Sequence, residues 1–173
     1  EAIAAGDLRG KKGETTVFYT RGAIPAPRVL VVGLGPQDGF GLQTIREVAA
    51  VAAKKARDLG VASFSSIVHG AGVGGMEPEA AAQATVEGTV LGLYRYQELK
   101  NKEVDRADPG TFTLMQRDPA QVAVVEAGAQ VGHVVAEAAC LARDLVNRPA
   151  NYATPTDLAE VAIEIAGQFD NMR

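Results

Sequence analysis

Tryptophan is absent from the 173 residues, cysteine occurs once, at Cys140, and histidine occurs twice, at His69 and His133. A lone cysteine excludes an intramolecular disulfide framework and suits a reducing, cytosolic setting. No HxxxH or HExxH spacing joins the two histidines, and no cysteine cluster accompanies them, so a His/Cys zinc site has no support. No run of about 18 or more apolar residues is found, so no membrane span is expected, and no signal peptide is visible. Positive charge is scarce: 17 Lys and Arg stand against 21 Asp and Glu, a net charge of −4. That balance disfavours non-specific binding to nucleic acid, which needs a strong positive field. No Gly-x-Ser-x-Gly nucleophile turn is present either.

What is there is aliphatic. Hydrophobic residues make up 47% of the chain and aromatic residues 5%. This is a globular composition with enough chain for one full core. Residues 15–20 are β-rich, and residues 28–33 (RVLVVG) form a continuous apolar run. Such a run predicts a strand buried on both faces, as in the middle of a parallel sheet. Residues 41–60 predict an amphipathic helix, with Ile45, Val48, Ala49, Ala52, Ala56 and Leu59 on one stripe. Thr44 and Glu47 have capping-box spacing, although the start could lie a turn earlier, and Gly60 suits the residue after the last turn. A strand follows over 63–69 and a helix from Pro78 to about Leu99, with Ala82, Val86, Val90 and Leu93 inward. Residues 111–115 predict another strand. Asp118 as N-cap and Pro119 at the first position then open a helix of about 28 residues. It runs through Val124, Val131, Val134, Ala138, Leu141 and Leu145, a spacing near 3.5. Breakers follow at Asn147, Pro149, Asn151, Thr154 and Pro155, and a short helix restarts near Asp157. Strands alternating with helices predict an α/β fold, with helices flanking a mixed, largely parallel sheet.

Candidate chemistry is sparse. Gly70, Gly72 and Gly75 fit GxGxxG between a strand and a helix, which could bring backbone N–H groups to a phosphate. Glu77 and Glu79 put anions where such a phosphate would sit, and the unit is not the first strand-turn-helix. A surface loop is the plainer reading. Gly33, Gly35 and Gly39 form a second glycine turn, out of register for the motif. Cys140 on an apolar helix reads as a small hydrophobe rather than a nucleophile. Lys100, Lys102 and Arg106 with Tyr94 and Tyr96 could form a basic patch, against a solvated charged face as the alternative. No set of residues assembles into a catalytic constellation or metal site. The residues alone point to a binding, scaffolding or regulatory domain.

Four ordered motifs carry a resemblance. They are GDLRGKKGE at 6–14, RVLVVGLG at 28–35, and Glu87-Gly88 through Gly92-Leu93-Tyr94-Arg95-Tyr96 with Lys100 and Lys102. The fourth is ARDLVNRPAN at 142–151 followed by Thr154-Pro155. In order and spacing the chain resembles the N-terminal domain and interdomain segment of the leucyl aminopeptidase (cytosol aminopeptidase) family. The resemblance implies a macro-domain-like N-terminal α/β domain over 1–117, its first strand expected before Glu1. It implies a long linker helix and hinge over 118–155, and the start of a catalytic domain over 156–173. It implies that the catalytic residues and two divalent ions, zinc or manganese, lie beyond Arg173, so no catalytic, cofactor or metal residue is assigned in this sequence. The implied parent is a cytoplasmic metallo-aminopeptidase, a hydrolase that removes N-terminal residues from peptides, usually as a hexamer. This domain would serve assembly and active-site access. The alternatives are a regulatory domain binding a nucleotide of the ADP-ribose type or DNA, though fold alone is weak evidence for either.

Overall fold

A computed structural model describes residues 6, 8–71, 75–99 and 106–169. The strands are β1 (Thr15–Tyr19), β2 (Arg28–Val32), β3 (Ser63–Ile67) and β4 (Thr111–Met115). The helices are α1 (Leu42–Asp58), α2 (Pro78–Leu93), α3 (Val122–Asn147) and α4 (Pro155–Ala166). The fold is mixed α/β, as the alternation predicts. The expected single, largely parallel sheet is instead two small sheets among the described residues. β1 pairs antiparallel with β2, and β3 pairs parallel with β4. Among those residues the apolar run in β2 is bonded along one edge only, and Val29 is exposed rather than buried on both faces.

The helices explain most of the burial. α2 lies between α1 and α3. It is buried nearly all round, from Ala81, Ala82 and Ala84 to Val86 and Gly92. A helix apolar on every side belongs inside a packed layer, not on a surface. The packing uses residues with little or no side chain. A Cβ on Gly88 would collide with the Arg46 carbonyl oxygen, and one on Gly92 would stand 2.6 Å from the Ala50 Cα. On the other side, a Cβ on Gly128 would collide with the Glu79 carbonyl oxygen, and one on Gly132 would stand 2.6 Å from that of Gln83. The three helices thus touch backbone to backbone.

One charged group is buried in this layer. Glu87, 5% exposed, accepts from Arg46 Nε across the α1–α2 contact and from Gln83 Nε2 at 2.7 Å. Ionised carboxylates are tolerated inside only when paired in this way. Buried Thr85 and Thr89 return their hydroxyls to the carbonyls one turn back, Ala81 at 2.7 Å and Thr85 at 2.8 Å. Ile45, Val68, Val125 and the alanines of α2 make the core, with Phe40, Leu42, Met76 and Leu114 packed on it.

Several helix ends differ from their sequence expectation. Gly41 caps α1, one turn before Thr44, whose hydroxyl donates to the Gly39 carbonyl at 3.3 Å. Glu47 is drawn away to Lys12 at 2.8 Å, so the Thr44–Glu47 capping box does not form. Gly60, at φ +63°, takes the left-handed position that ends α1 as expected. Asp118 caps a 3-10 turn, Pro119–Gln121, before α3 begins. Pro155 starts α4 at its first turn rather than stopping the chain, behind a Thr154–Asp157 capping box.

The glycine contacts carry a direct test. Gly128→Ala should destabilise the chain by about 1–3 kcal/mol, as overpacking does. Gly39→Ala, where a Cβ meets nothing within 4 Å, should be near neutral. Thermal unfolding of the two variants beside the parent measures the difference, and equal melting temperatures would contradict backbone contact at α2–α3.

Candidate functional site

The four motifs meet as two interlocks. In the first, the loop over 8–14 lies against the end of β2. Gly13 N donates to the Gly33 carbonyl at 2.9 Å, Gly33 N to the Glu14 carbonyl at 2.8 Å, and Gly35 N to the Gly10 carbonyl at 3.0 Å. Glu14 folds its carboxylate back onto the N–H groups of Arg9 at 3.0 Å and Lys11 at 3.2 Å. Gly33 has no room for a side chain, because the Gly10–Lys11 backbone occupies that space. The charged loop is thus only partly the solvated turn its composition suggests; its backbone is clamped.

In the second interlock, the end of α2 is fastened to the end of α3. The Tyr94 hydroxyl donates to Asp144 Oδ1 at 2.7 Å and accepts from Asn147 Nδ2 at 3.1 Å. The Arg143 guanidinium sits 5.4 Å from the Tyr94 ring centroid, within cation–π range. Arg148 Nε donates to Glu98 Oε2 at 2.8 Å, and the Tyr96 hydroxyl meets the same oxygen at 3.3 Å. Desolvation, then the Asp144 carboxylate, push the Tyr94 phenol above its ordinary range. The Arg148 hydrogen bond holds Glu98 below the usual carboxylate range. Beyond this clasp the chain turns through 149–153, with Tyr152 N donating to the Pro149 carbonyl at 2.8 Å, and enters α4.

The residues with chemical potential are scattered or already engaged. Cys140 is free and partly buried, and desolvation pushes its thiol up, away from the reactive thiolate. His133 faces Glu137 one turn along exposed α3 at 3.2 Å. His69 sits beside Ser66 Oγ at 3.1 Å, and its burial pushes its pKa down. Gly70 and Met76 close the neck of the glycine loop by a 3.0 Å bond. A Cβ on Gly70 would run into the Phe40 ring, so this glycine serves packing. Gly72, Val73 and Gly74 of the GxGxxG pattern lie outside the described residues, as do Lys100 and Lys102 of the basic patch. Tyr94 and Tyr96 are bonded into the clasp instead of being presented for stacking.

An open depression along 59–62 and 106–110 contains the Asp108 carboxylate. Both its oxygens are taken, by Arg57 at 3.3 Å and Arg95 at 2.8 Å. Among the described residues no group of three or more His, Cys, Asp or Glu is gathered in a way that could hold a metal ion. The divalent ions implied by the resemblance therefore do not fit the described residues. The clasp was missed as a site by sequence reasoning, although Tyr94, Arg143, Asp144, Asn147 and Arg148 all stand in the four motifs. Its only signal was that two motifs some fifty residues apart carried complementary hydrogen-bonding groups.

Comparison with known proteins gives consistent matches. Residues 1–103 match the cytosol aminopeptidase family, N-terminal domain. A probable cytosol aminopeptidase of Roseiflexus castenholzii is 41% identical over 172 residues, covering 98% of this chain and 35% of the relative. One from Alkaliphilus oremlandii is 32% identical, covering 96% of this chain and 33% of the relative. The chain thus spans about a third of the length of the curated relatives it matches. Among solved structures, the bottromycin maturation enzyme BotP in complex with Mn superposes with a TM-score of 0.79 at 28% identity. That match covers 96% of this chain and 33% of BotP. A tomato leucine aminopeptidase mutant shares the fold, with a TM-score of 0.77 at 24% identity over 96% of this chain and 32% of its own.

Two measurements test this geometry. In an ultraviolet absorbance titration, the Tyr94→Phe variant should lose one phenol ionising above the ordinary range, and Asp144→Asn should lower it; an unchanged titration in both would refute the clasp. His69 gives a pH signature. Its folded pKa lies below the ordinary 6.5, so the unfolded chain takes up the proton first. Its contribution is present in full above that value and is lost as pH falls below it towards the folded pKa. The melting temperature should therefore fall from about pH 7 to about pH 5 more steeply in the parent than in His69→Gln.

Proposed function

The chain belongs to the cytosol aminopeptidase family, and from that membership we propose that it is the non-catalytic N-terminal domain of a metal-dependent aminopeptidase. The observation that carries this reading is the match of 1–103 to the family's N-terminal domain, by a chain that spans a third of its relatives' length. The engaged state of the titratable residues supports it. Residues 1–117 make the macro-like domain, 118–155 the linker helix with its hinge, and 156–173 the entry to the catalytic domain. α3 is the linker, and the clasp from Tyr94 to Asp144 and Arg148 fixes the direction in which the chain leaves the domain.

In this reading the parent releases N-terminal residues from peptides in the cytoplasm, the compartment for which its relatives are named. Its two divalent ions, zinc or manganese, are held by the catalytic domain and supply an activated water. BotP, a structural relative, was solved with Mn. The N-terminal domain shapes access to that site and supports a homo-oligomer, a hexamer. Peptides are substrates of the parent rather than ligands of this domain. Binding of DNA or an ADP-ribose-type ligand has no specific observation in its favour.

Hydrolysis of leucine p-nitroanilide with added Mn²⁺ or Zn²⁺ tests the division of labour. The 173-residue chain should show no turnover, whereas the complete product of its reading frame should be active. Metal-dependent turnover by the purified 173-residue chain would sink the proposal.

A further inference from the structure

α3 has three faces. Its inner face of Val125, Gly128, Gly132 and Ala136 packs against α2. A second face carries Glu126, Gln130, His133 and Glu137 into solvent. The third carries Val124, Val131, Val134, Val135 and Leu141, all exposed, Val134 at 66%. A helix lying on a domain surface needs one apolar face. α3 has two, and among the described residues nothing covers the second. α4, which comes after the clasp, buries none of its residues and exposes Leu158 and Ile163.

We propose that the Val124–Leu141 face of α3 is the seat on which the catalytic part of the same polypeptide docks, so that α3 is the shared middle layer of two domains. This rests on the functional reading that the chain is the N-terminal part of an aminopeptidase. The width of the stripe selects the occupant. Val124, Val131, Val134 and Leu141 follow a seven-residue repeat, but Val135 and Ala142 broaden the stripe to about three positions in seven. That width suits the packed face of a globular domain, whereas a two-helix seam with a second copy would be narrower. α3 is long and apolar enough to cross a bilayer by length and composition, contrary to the sequence expectation of no such segment. The four polar residues of its second face, and its backbone contact with α2, argue for a protein partner. The matched relatives are about three times as long as this chain, which supplies a domain of the size required.

The test is site-directed labelling in a Cys140→Ser background. A thiol probe reacts with Val134→Cys, and with Gln130→Cys on the polar face, in the 173-residue chain and in the complete reading-frame product. Val134→Cys should react an order of magnitude more slowly in the complete protein, while Gln130→Cys reacts alike in both. A photo-crosslinker on Val134→Cys, in complete protein whose isotope-labelled and unlabelled subunits have been dissociated, mixed and reassembled, should join segments of the same isotope. Equal labelling at both lengths would overturn the proposal. So would cross-links of mixed isotope, which assign the cover to a second copy, and so would protection seen only with phosphatidylcholine vesicles. Aminopeptidase assay of the same complete protein separates the two claims. Activity with free labelling leaves the function reading standing and removes the docking face. Protection in an inactive protein does the reverse.

Discussion

The described part of this protein depends on one constraint: three helices must approach closely enough for their backbones to touch. Gly88 and Gly92 admit α1 to one side of α2, and Gly128 and Gly132 admit α3 to the other. Alanine fills most of the remaining contact, and the largest fully buried side chains are no bigger than Ile45. Dispersion between well-matched surfaces replaces the interdigitation of large side chains. The pairing of half-buried Arg46 with buried Glu87 follows from the same closeness, since it lies beside Gly88, where the helices meet.

The four motifs gain a physical meaning from this frame. Each of them supplies half of a fastening. The 6–14 loop and the 28–35 strand end hold one another through backbone bonds around Gly33. The YRY end of α2 and the ARDLVN end of α3 hold one another through Tyr94, Asp144 and Asn147. A family motif can therefore mark a joint rather than a reaction centre. The second joint stands where α3 ends, so it sets the direction in which the chain continues towards α4.

Much of the fold was legible because it is written in local chemistry. The helix limit at Gly60 follows from its cap and the capping role of Asp118 from its side chain, although the turn it caps is 3-10, and the α/β alternation follows from apolar periodicity. The sheet was harder. An apolar run such as Val29 to Val32 shows hydrophobicity but not how many neighbours it has, and among the described residues β2 pairs along one edge. The long helix misleads for a different reason. Hydropathy picks out Val124, Val131, Val134 and Leu141, which face outward, because the true inner face, apart from Val125, is glycine and alanine and carries little hydrophobic weight. The site was legible only as motif halves. That Tyr94 reaches Asp144 across fifty residues is a fact of tertiary geometry.

A contact between glycine and a carbonyl has no rotamers to rearrange. Burying alanine and glycine freezes almost no side-chain freedom, so this layer assembles at little side-chain entropic cost, although each glycine loses more backbone freedom than other residues would. The same absence leaves the layer little means of absorbing displacement. A load placed on the far end of α3 would be carried through α2 to α1 as a rigid shift rather than dissipated in side-chain motion. In mechanical terms, the three helices act as a single beam.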